Sequence, residues 1–449
     1  MKLRSIVTVI ALIMIMFMAA IETSIISLGL PSINRDLNAG KHISLVVTVY
    51  FIALVIANPI VGEFISRFKI MFVAICGVIL FGIGSLMSGL SDTFTLLIIS
   101  RIIQGFGAGV IMSLSQIVPK LAFEIPLRYK VMGIVGSVWG ISSIVGPLVG
   151  GGILEVATWH WLFFINLPIA IIAIVLIIFT FNFKEDFNFK EEEVNKNINF
   201  DAKGLTLFYI FIGLLMYGLL NQTMFILNIV SLILAVCVAV LLYKVEKKSD
   251  HPFLPVIEFN KSISLVFITD LLTALCLMGF NIYIPVYLQE KVGISPLQSG
   301  LVIFPLSVAW TIFNFYLGKV EESLTRKTLY LSAFTLIIVS SIIILFGLKL
   351  PLLIALSVIL AGVGFGYIYT KDSVIVQEET TPNQMKKMMS FYSLTKNLGS
   401  SIGSTLMGYL YAIKAGWFGS DLQNILSFVI AVEIILIISW ALIYKKQSN

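Results

Sequence analysis

Runs of apolar residues, each bounded by short polar connections, recur along the whole chain. They fall at 6–30, 43–65, 70–91, 94–118, 130–153, 161–183, 204–220, 223–244, 262–288, 297–318, 328–348, 351–370, 388–413 and 424–444. A helix needs about 20 residues to cross the hydrocarbon core of a bilayer. The pattern therefore predicts an all-α, multi-pass membrane protein with fourteen transmembrane helices. The strands of a β-barrel would alternate with period two over about ten residues and do not fit. The opening "MKLRSIVTVIALIMIMFMAA" has the basic start of a signal peptide, but its apolar run continues to Leu30 without a small-x-small cleavage site. It reads as the first membrane helix.

Two polar stretches divide the pattern. Residues 184–203 read as a linker and 246–261 as a second loop, both rich in charge. They bracket two inserted helices at 204–245. Residues 1–183 then form a six-helix bundle and 262–449 a second one. The stretches "GEFISRFK" (62–69) and "GKVEESLTRK" (318–327) follow the second helix of each block and resemble each other. Two related halves with cargo between them is a transporter arrangement.

Charge adds orientation. Of the 30 basic residues, 23 lie at the termini or in the even-numbered connections and five in the odd-numbered ones. By the positive-inside rule both termini are cytoplasmic and the chain sits in the cell membrane. The net charge of +6 is thus a topology signal and no indication of nucleic acid. Cys76, Cys237 and Cys276 all lie in apolar runs, which fits neither a disulfide framework nor a metal site. No G-x-x-x-x-G-K-[ST] loop is present, so the expected drive is an ion gradient or the cargo's own gradient, with no nucleotide and no cofactor.

Two charged residues of each sign are singled out within the apolar runs: Glu22, Arg101, Asp270 and Lys396. Each would cost roughly 2.5–3.5 kcal/mol at mid-span, so each is a functional candidate. At about 1.5 Å per residue, Glu22 and Arg101 reach depths of about 24 and 20 Å from the side of the termini. Asp270 and Lys396 both reach about 12 Å. Two acid–base sets result, one per half. Each is either a structural ion pair or a site where an acid alternates between a proton and a cationic partner. Gln104, Asn281 and Asn314 either line a cavity or bond helices together. Trp139 stands one turn before a Gly-Pro pair and is a further cavity candidate.

That pair belongs to "GISSIVGPLVGGGILE" (140–155). Gly146 and Gly150 share a helix face and permit close helix approach; Gly140 and Gly151 add further small positions. Pro147 removes a donor and favours a bend. This segment is either a packing kink or a surface on which the halves rock.

The chain resembles the fourteen-helix drug/proton antiporters of the major facilitator superfamily. "LIISRIIQGFGAGV" (97–110) is similar to the fourth-helix signature through Arg101, Gln104, Gly105, Gly107 and Gly109. Gly146, Pro147, Gly150 and Gly151 are similar to the fifth-helix antiporter signature. "IETSIISLGLPSI" (21–33), "ATWHWLFFINLPI" (157–169), "FDAKG" (200–204) and "LQEKVGISPLQSGLVIFP" (288–305) extend the likeness. It implies a transporter and no enzyme: alternating-access export of lipophilic, often cationic drugs against protons, resistance to antibiotics, and a monomer in the lipid bilayer. A tetracycline-type exporter and a lipid or metabolite transporter are the alternatives. The chain departs from the family at Glu22, where Asp is usual. It departs again at Ser66 and Lys69, which puts the usual charge latch after the second helix in doubt.

Overall fold

The computed structural model describes residues 3–124, 127–181, 201–220, 225–249, 252, 254–381, 384–413 and 421–443. Most of the predicted linker, 182–200, lies outside the described residues, as do the side chains of 62–67 in the first of the two related stretches. The described residues contain no strand. Their long helices are α1 (Leu3–Leu37), α2 (Leu45–Arg67), α3 (Ile70–Gly89), α4 (Phe94–Ala122), α5 (Leu127–Val156), α6 (Trp161–Thr180) and α7 (Ala202–Leu220). The second series is α8 (Phe225–Lys248), α9 (Lys261–Val292), α10 (Pro296–Ser323), α11 (Arg326–Phe346), α12 (Pro351–Glu379), α13 (Met385–Ala412) and α14 (Leu422–Ile443).

Thirteen of these are long and apolar enough to cross a membrane. The other, α13, is diluted by a polar face on which Asn397, Ser400, Ser401, Ser404 and Thr405 are buried inside the protein. One boundary differs from the sequence expectation with consequences for the site. α12 continues to Glu379 rather than ending near 370, which brings Lys371 and Asp372 into the helix and buries both.

Polar caps at the membrane edges satisfy helix N–H groups that hydrocarbon could not. Asn260 accepts from the Ile263 N–H at 2.7 Å at the start of α9. Ser295 and Gln298 form a reciprocal capping box at α10, and Asp201 accepts from the Gly204 N–H at the start of α7, at 2.8 Å.

The helix pairing of the first six helices recurs eight positions later. α2–α4, α3–α4, α1–α5, α1–α6 and α3–α6 correspond to α10–α12, α11–α12, α9–α13, α9–α14 and α11–α14. The halves meet along α5–α10 and α2–α13. α7 and α8 pack on each other, and Phe208, Ile212 and Met216 of α7 join Val55 of α2 and Leu394 of α13 in an outlying apolar cluster. An apolar groove of about 390 Å³ between α7 and α8 lies outside both halves.

The seams between the halves are tight at the end opposite the termini. Thr48 bonds Ser404 at 2.8 Å and Thr405 at 3.0 Å, and Gln289 donates to the Leu28 carbonyl at 3.2 Å. A Cβ on Gly151 would lie 2.6 Å from Leu297 Cα, and one on Gly300 would lie 2.8 Å from the Pro147 carbonyl. Nearer the termini the α5 seam parts. Gly140 still meets Thr311, but Gly136 and Gly133 have nothing within 4 Å.

A side chain at Gly151 must therefore push α10 away. In a background without native cysteines, Thr48→Cys should resist maleimide, and adding Gly151→Val should raise its labelling rate at least several-fold. An unchanged rate would mean that the α5–α10 seam does not hold this end closed.

Candidate functional site: two buried charge clusters

The first cluster joins four helices. Glu22 of α1, Arg101 and Gln104 of α4, Ser85 of α3 and Asn166 of α6 have no exposed surface. Arg101 Nη1 donates to Glu22 Oε1 and, at 2.5 Å, to Gln104 Oε1. Its Nε donates to the Val46 carbonyl at 3.0 Å. Asn166 Nδ2 donates to Glu22 Oε2 at 2.8 Å and to Ser85 Oγ at 3.0 Å. The guanidinium also lies 4.4 Å from the Tyr50 ring centroid, in cation–π range.

Small residues let this cluster form. A Cβ on Gly105 would meet Ala53 Cβ at 2.8 Å and one on Gly109 would meet Ala57 Cβ at 2.6 Å, so both press α4 against α2. Gly107 presses its other face against Phe81 of α3. The glycines read as a signature are thus the contact points that carry Arg101 into the bundle.

The second cluster is arranged differently. Asp270 of α9 has no exposed surface; neither carboxylate oxygen has a hydrogen-bond partner within 3.5 Å, and the Tyr392 hydroxyl of α13 faces the carboxyl. Lys396 of α13 makes no ion pair within 4.0 Å among the described residues; its Nζ lies 4.0 Å from the Tyr369 ring centroid. Lys396 nevertheless acts electrostatically on both Asp270 and Asp372. Asp372 accepts a hydrogen bond from the Tyr330 hydroxyl through Oδ1, and its Oδ2 has no partner. Tyr330 stacks on Trp440 at 3.6 Å, and Trp440 Nε1 donates to Thr269 at 2.9 Å. Glu433 of α14 is fully buried, with both carboxylate oxygens unbonded, and it faces the Cys276 thiol.

Glycines again set the spacing. A Cβ on Gly399 would lie 2.5 Å from the Leu271 carbonyl and one on Gly403 would lie 2.6 Å from the Leu275 carbonyl, so α13 lies hard against α9 next to Asp270. Gly366 lets α12 rest on Trp310 of α10.

The structure joins Glu22 to Arg101 directly and adds Gln104 to that network rather than to a cavity wall. It does not join Asp270 to Lys396 as an ion pair. Trp139 is 37% exposed on α5, Asn281 is half-buried in a π-helical turn of α9, and Asn314 bonds Thr370 across α10 and α12 at 3.0 Å. In the fifth helix, Gly146 packs on Ser24 and Gly150 on Ile25, within a turn of Glu22, while Gly151 meets α10. Pro147 lies within an unbroken α5.

Sequence reasoning missed three members of the second cluster. Glu433 stands inside an apolar run, and the rule that selected Asp270 selects it too. Asp372 lies two residues beyond the expected end of its span. Tyr369 carries no signal, because a tyrosine in an apolar run is ordinary.

Removing one member of a buried ion pair strands the other charge, at about 3–5 kcal/mol. Glu22→Ala should therefore lower the melting temperature in detergent by several degrees, whereas Glu22→Gln, which keeps an acceptor for Arg101, should lower it less. Equal melting of both variants would show that the pair contributes little to stability.

A model of the Major Facilitator Superfamily matches residues 12–203 and 188–404. The chain is 71% identical over 449 residues to the multidrug efflux pump SdrM of Staphylococcus aureus (strain N315), covering all of this chain and 99% of that one. It is 26% identical over 420 residues to the multidrug transporter protein MdtP of Bacillus subtilis (strain 168), covering 90% and 75% of the two chains. Among solved structures it resembles a D-xylose-proton symporter with a TM-score of 0.68 at 15% identity, over 98% of this chain and 97% of the other. The nucleoside transporter NupG gives a TM-score of 0.67 at 14% identity, over 99% and 100%.

Proposed function

The chain belongs to the Major Facilitator Superfamily, and on that premise we propose that it exports lipophilic, often cationic drugs across the cell membrane in exchange for protons. The observation that carries this reading is Asp270: a carboxyl group with no exposure and no hydrogen bond, in a helix that packs against the half-to-half interface. With only the Tyr392 hydroxyl facing it, it can exchange a proton with little disturbance of the surrounding network. The 71% identity over the full chain to a multidrug efflux pump supports the cargo class, and the Gly-Pro segment of α5 supports the direction.

The parted end of the α5 seam is on the side of the termini, which the distribution of basic residues assigns to the cytoplasm. Cargo enters there while the far end is closed. Rocking of the halves then exposes the clusters to the opposite side. No cofactor takes part, and the protein works as a monomer. A proton crossing 100 mV contributes about 2.3 kcal/mol, and half a pH unit adds about 0.7 kcal/mol. The sum sustains roughly a hundredfold gradient of a neutral cargo.

Everted membrane vesicles carrying the protein test this. With a proton gradient imposed, an ethidium-like dye should accumulate while protons leave, and Asp270→Asn should abolish both with the protein still folded. Normal exchange by Asp270→Asn would remove that residue from the coupling; dye movement without proton flux would refute antiport. Glu22→Gln should slow cationic and neutral dyes alike, because both Glu22 oxygens are held by Arg101 and Asn166. A loss confined to cationic dyes would make Glu22 a counter-ion for cargo rather than a structural site.

A further inference from the structure

One aromatic ring stands where cargo chemistry and proton chemistry meet. The Trp310 indole stacks on Tyr369 at 5.1 Å with an interplanar angle of 5°, and Lys396 Nζ lies 4.0 Å from the same ring centroid. Trp310 is half-buried on α10, the helix that meets α5 at the interface between the halves. The Tyr369 hydroxyl is buried without a hydrogen-bond partner. So the phenol ring is held by stacking and by a cation, and Lys396 spends its charge on that ring although the unbonded Asp270 carboxyl is within its electrostatic reach.

An ammonium on an aromatic face occupies the place a cationic aromatic molecule would take, because both are drawn by the same ring quadrupole. Both cannot occupy it, and their charges repel. We propose that the Tyr369–Trp310 stack is the docking face for a flat lipophilic cation, and that Lys396 is the positioning residue that transmits its arrival: cargo displaces Lys396 from Tyr369, and Lys396 turns to Asp270. This rests on the drug/proton exchange reading and supplies its coupling step. When Lys396 reaches Asp270, the O–H bond of the protonated carboxyl breaks, the proton passes to water on the parted side of the interface, and the carboxylate pairs with the ammonium. After the halves rock, a proton arriving at Asp270 frees Lys396, which returns to the ring and expels the cargo.

Asp270 is the partner because Asp372 is already held by Tyr330, whereas both oxygens of Asp270 are open. The other titratable groups around the pair are Tyr392 on α13, Tyr369 on α12, Tyr330 on α11, Cys276 on α9 and Glu433 on α14. None of these is a mobile cation lying on the docking ring.

The test uses the full-length protein in lipid nanodiscs, titrated with ethidium in weakly buffered solution with a pH indicator. The wild type should release protons as ethidium binds. Lys396→Gln should bind ethidium as tightly or more tightly, since the competitor is gone, while proton release disappears. Tyr369→Leu should weaken ethidium binding about ten- to thirtyfold, and Tyr369→Phe, which keeps the ring, should restore it. Proton release by Lys396→Gln at the wild-type level would overturn the proposal, even if Tyr369→Leu fails to fold. Wild-type affinity in Tyr369→Leu would overturn it too. If wild-type vesicles exchange dye for protons and Lys396→Gln remains coupled, this switch fails while the exchange reading stands. If wild-type vesicles exchange nothing, both fail.

Discussion

A guanidinium in the middle of a membrane protein cannot give up its charge, and hydrocarbon offers nothing to solvate it. Arg101 therefore dictates the first half of this molecule. Its donors need acceptors, and they come from three directions: Glu22 on α1, the Val46 carbonyl on α2, and Gln104 one turn along α4 itself. Glu22 in turn draws in Asn166 of α6, which reaches Ser85 of α3. Five of six helices are tied to one cation. Gly105, Gly107 and Gly109 follow from the same demand, since bulkier residues would hold α4 away from the helices that supply the partners.

The second half repeats the helix pairing and inverts the logic. Here the cation is a lysine on a flexible stem, and the acids are not saturated. A proton arriving at Glu22 would compete with Arg101 for an oxygen that is already bonded. In the arrangement seen here Asp270 has no hydrogen-bonded partner for a proton to displace. The first cluster is thus built to hold and the second to change. Within one repeated helix pairing the two acids thus differ in their partners: both oxygens of Glu22 are bonded and neither oxygen of Asp270 is.

How much of this could be read in advance follows from what each signal depends on. The fourteen helices were legible because hydrocarbon thickness imposes a minimum apolar length. Glu22 and Arg101 were legible as a pair because depth in a straight helix is proportional to residue number. The same arithmetic put Lys396 level with Asp270, but depth fixes only one coordinate. It says nothing about where a four-carbon side chain swings, and here it swings to an aromatic face. Asp372 was hidden by a helix end, since α12 carries on past Thr370 into residues whose polarity resembles a loop. Glu433 was hidden by nothing physical, because it satisfies the rule that found the others.

The Gly-Pro helix connects these clusters to the motion a transporter needs. α5 touches α1 at Ser24 and Ile25, within a turn of Glu22, and touches α10 at Leu297 and Gly300. α10 bears Trp310, about three turns further along the same helix. Any change in the angle between α5 and α10 is therefore felt at the rigid cluster through α1 and at the adaptable one through Trp310. Packing between these helices is close enough that neither can move by small continuous adjustment; contacts of this kind switch between discrete arrangements. The glycines make the closed arrangement possible, and Pro147, which has no N–H to tie to the preceding turn, gives α5 a point at which it can yield when the seam opens. The protein then needs only a ligand that prefers one arrangement, and a charge placed on the Tyr369–Trp310 stack acts at the junction where that preference is transmitted.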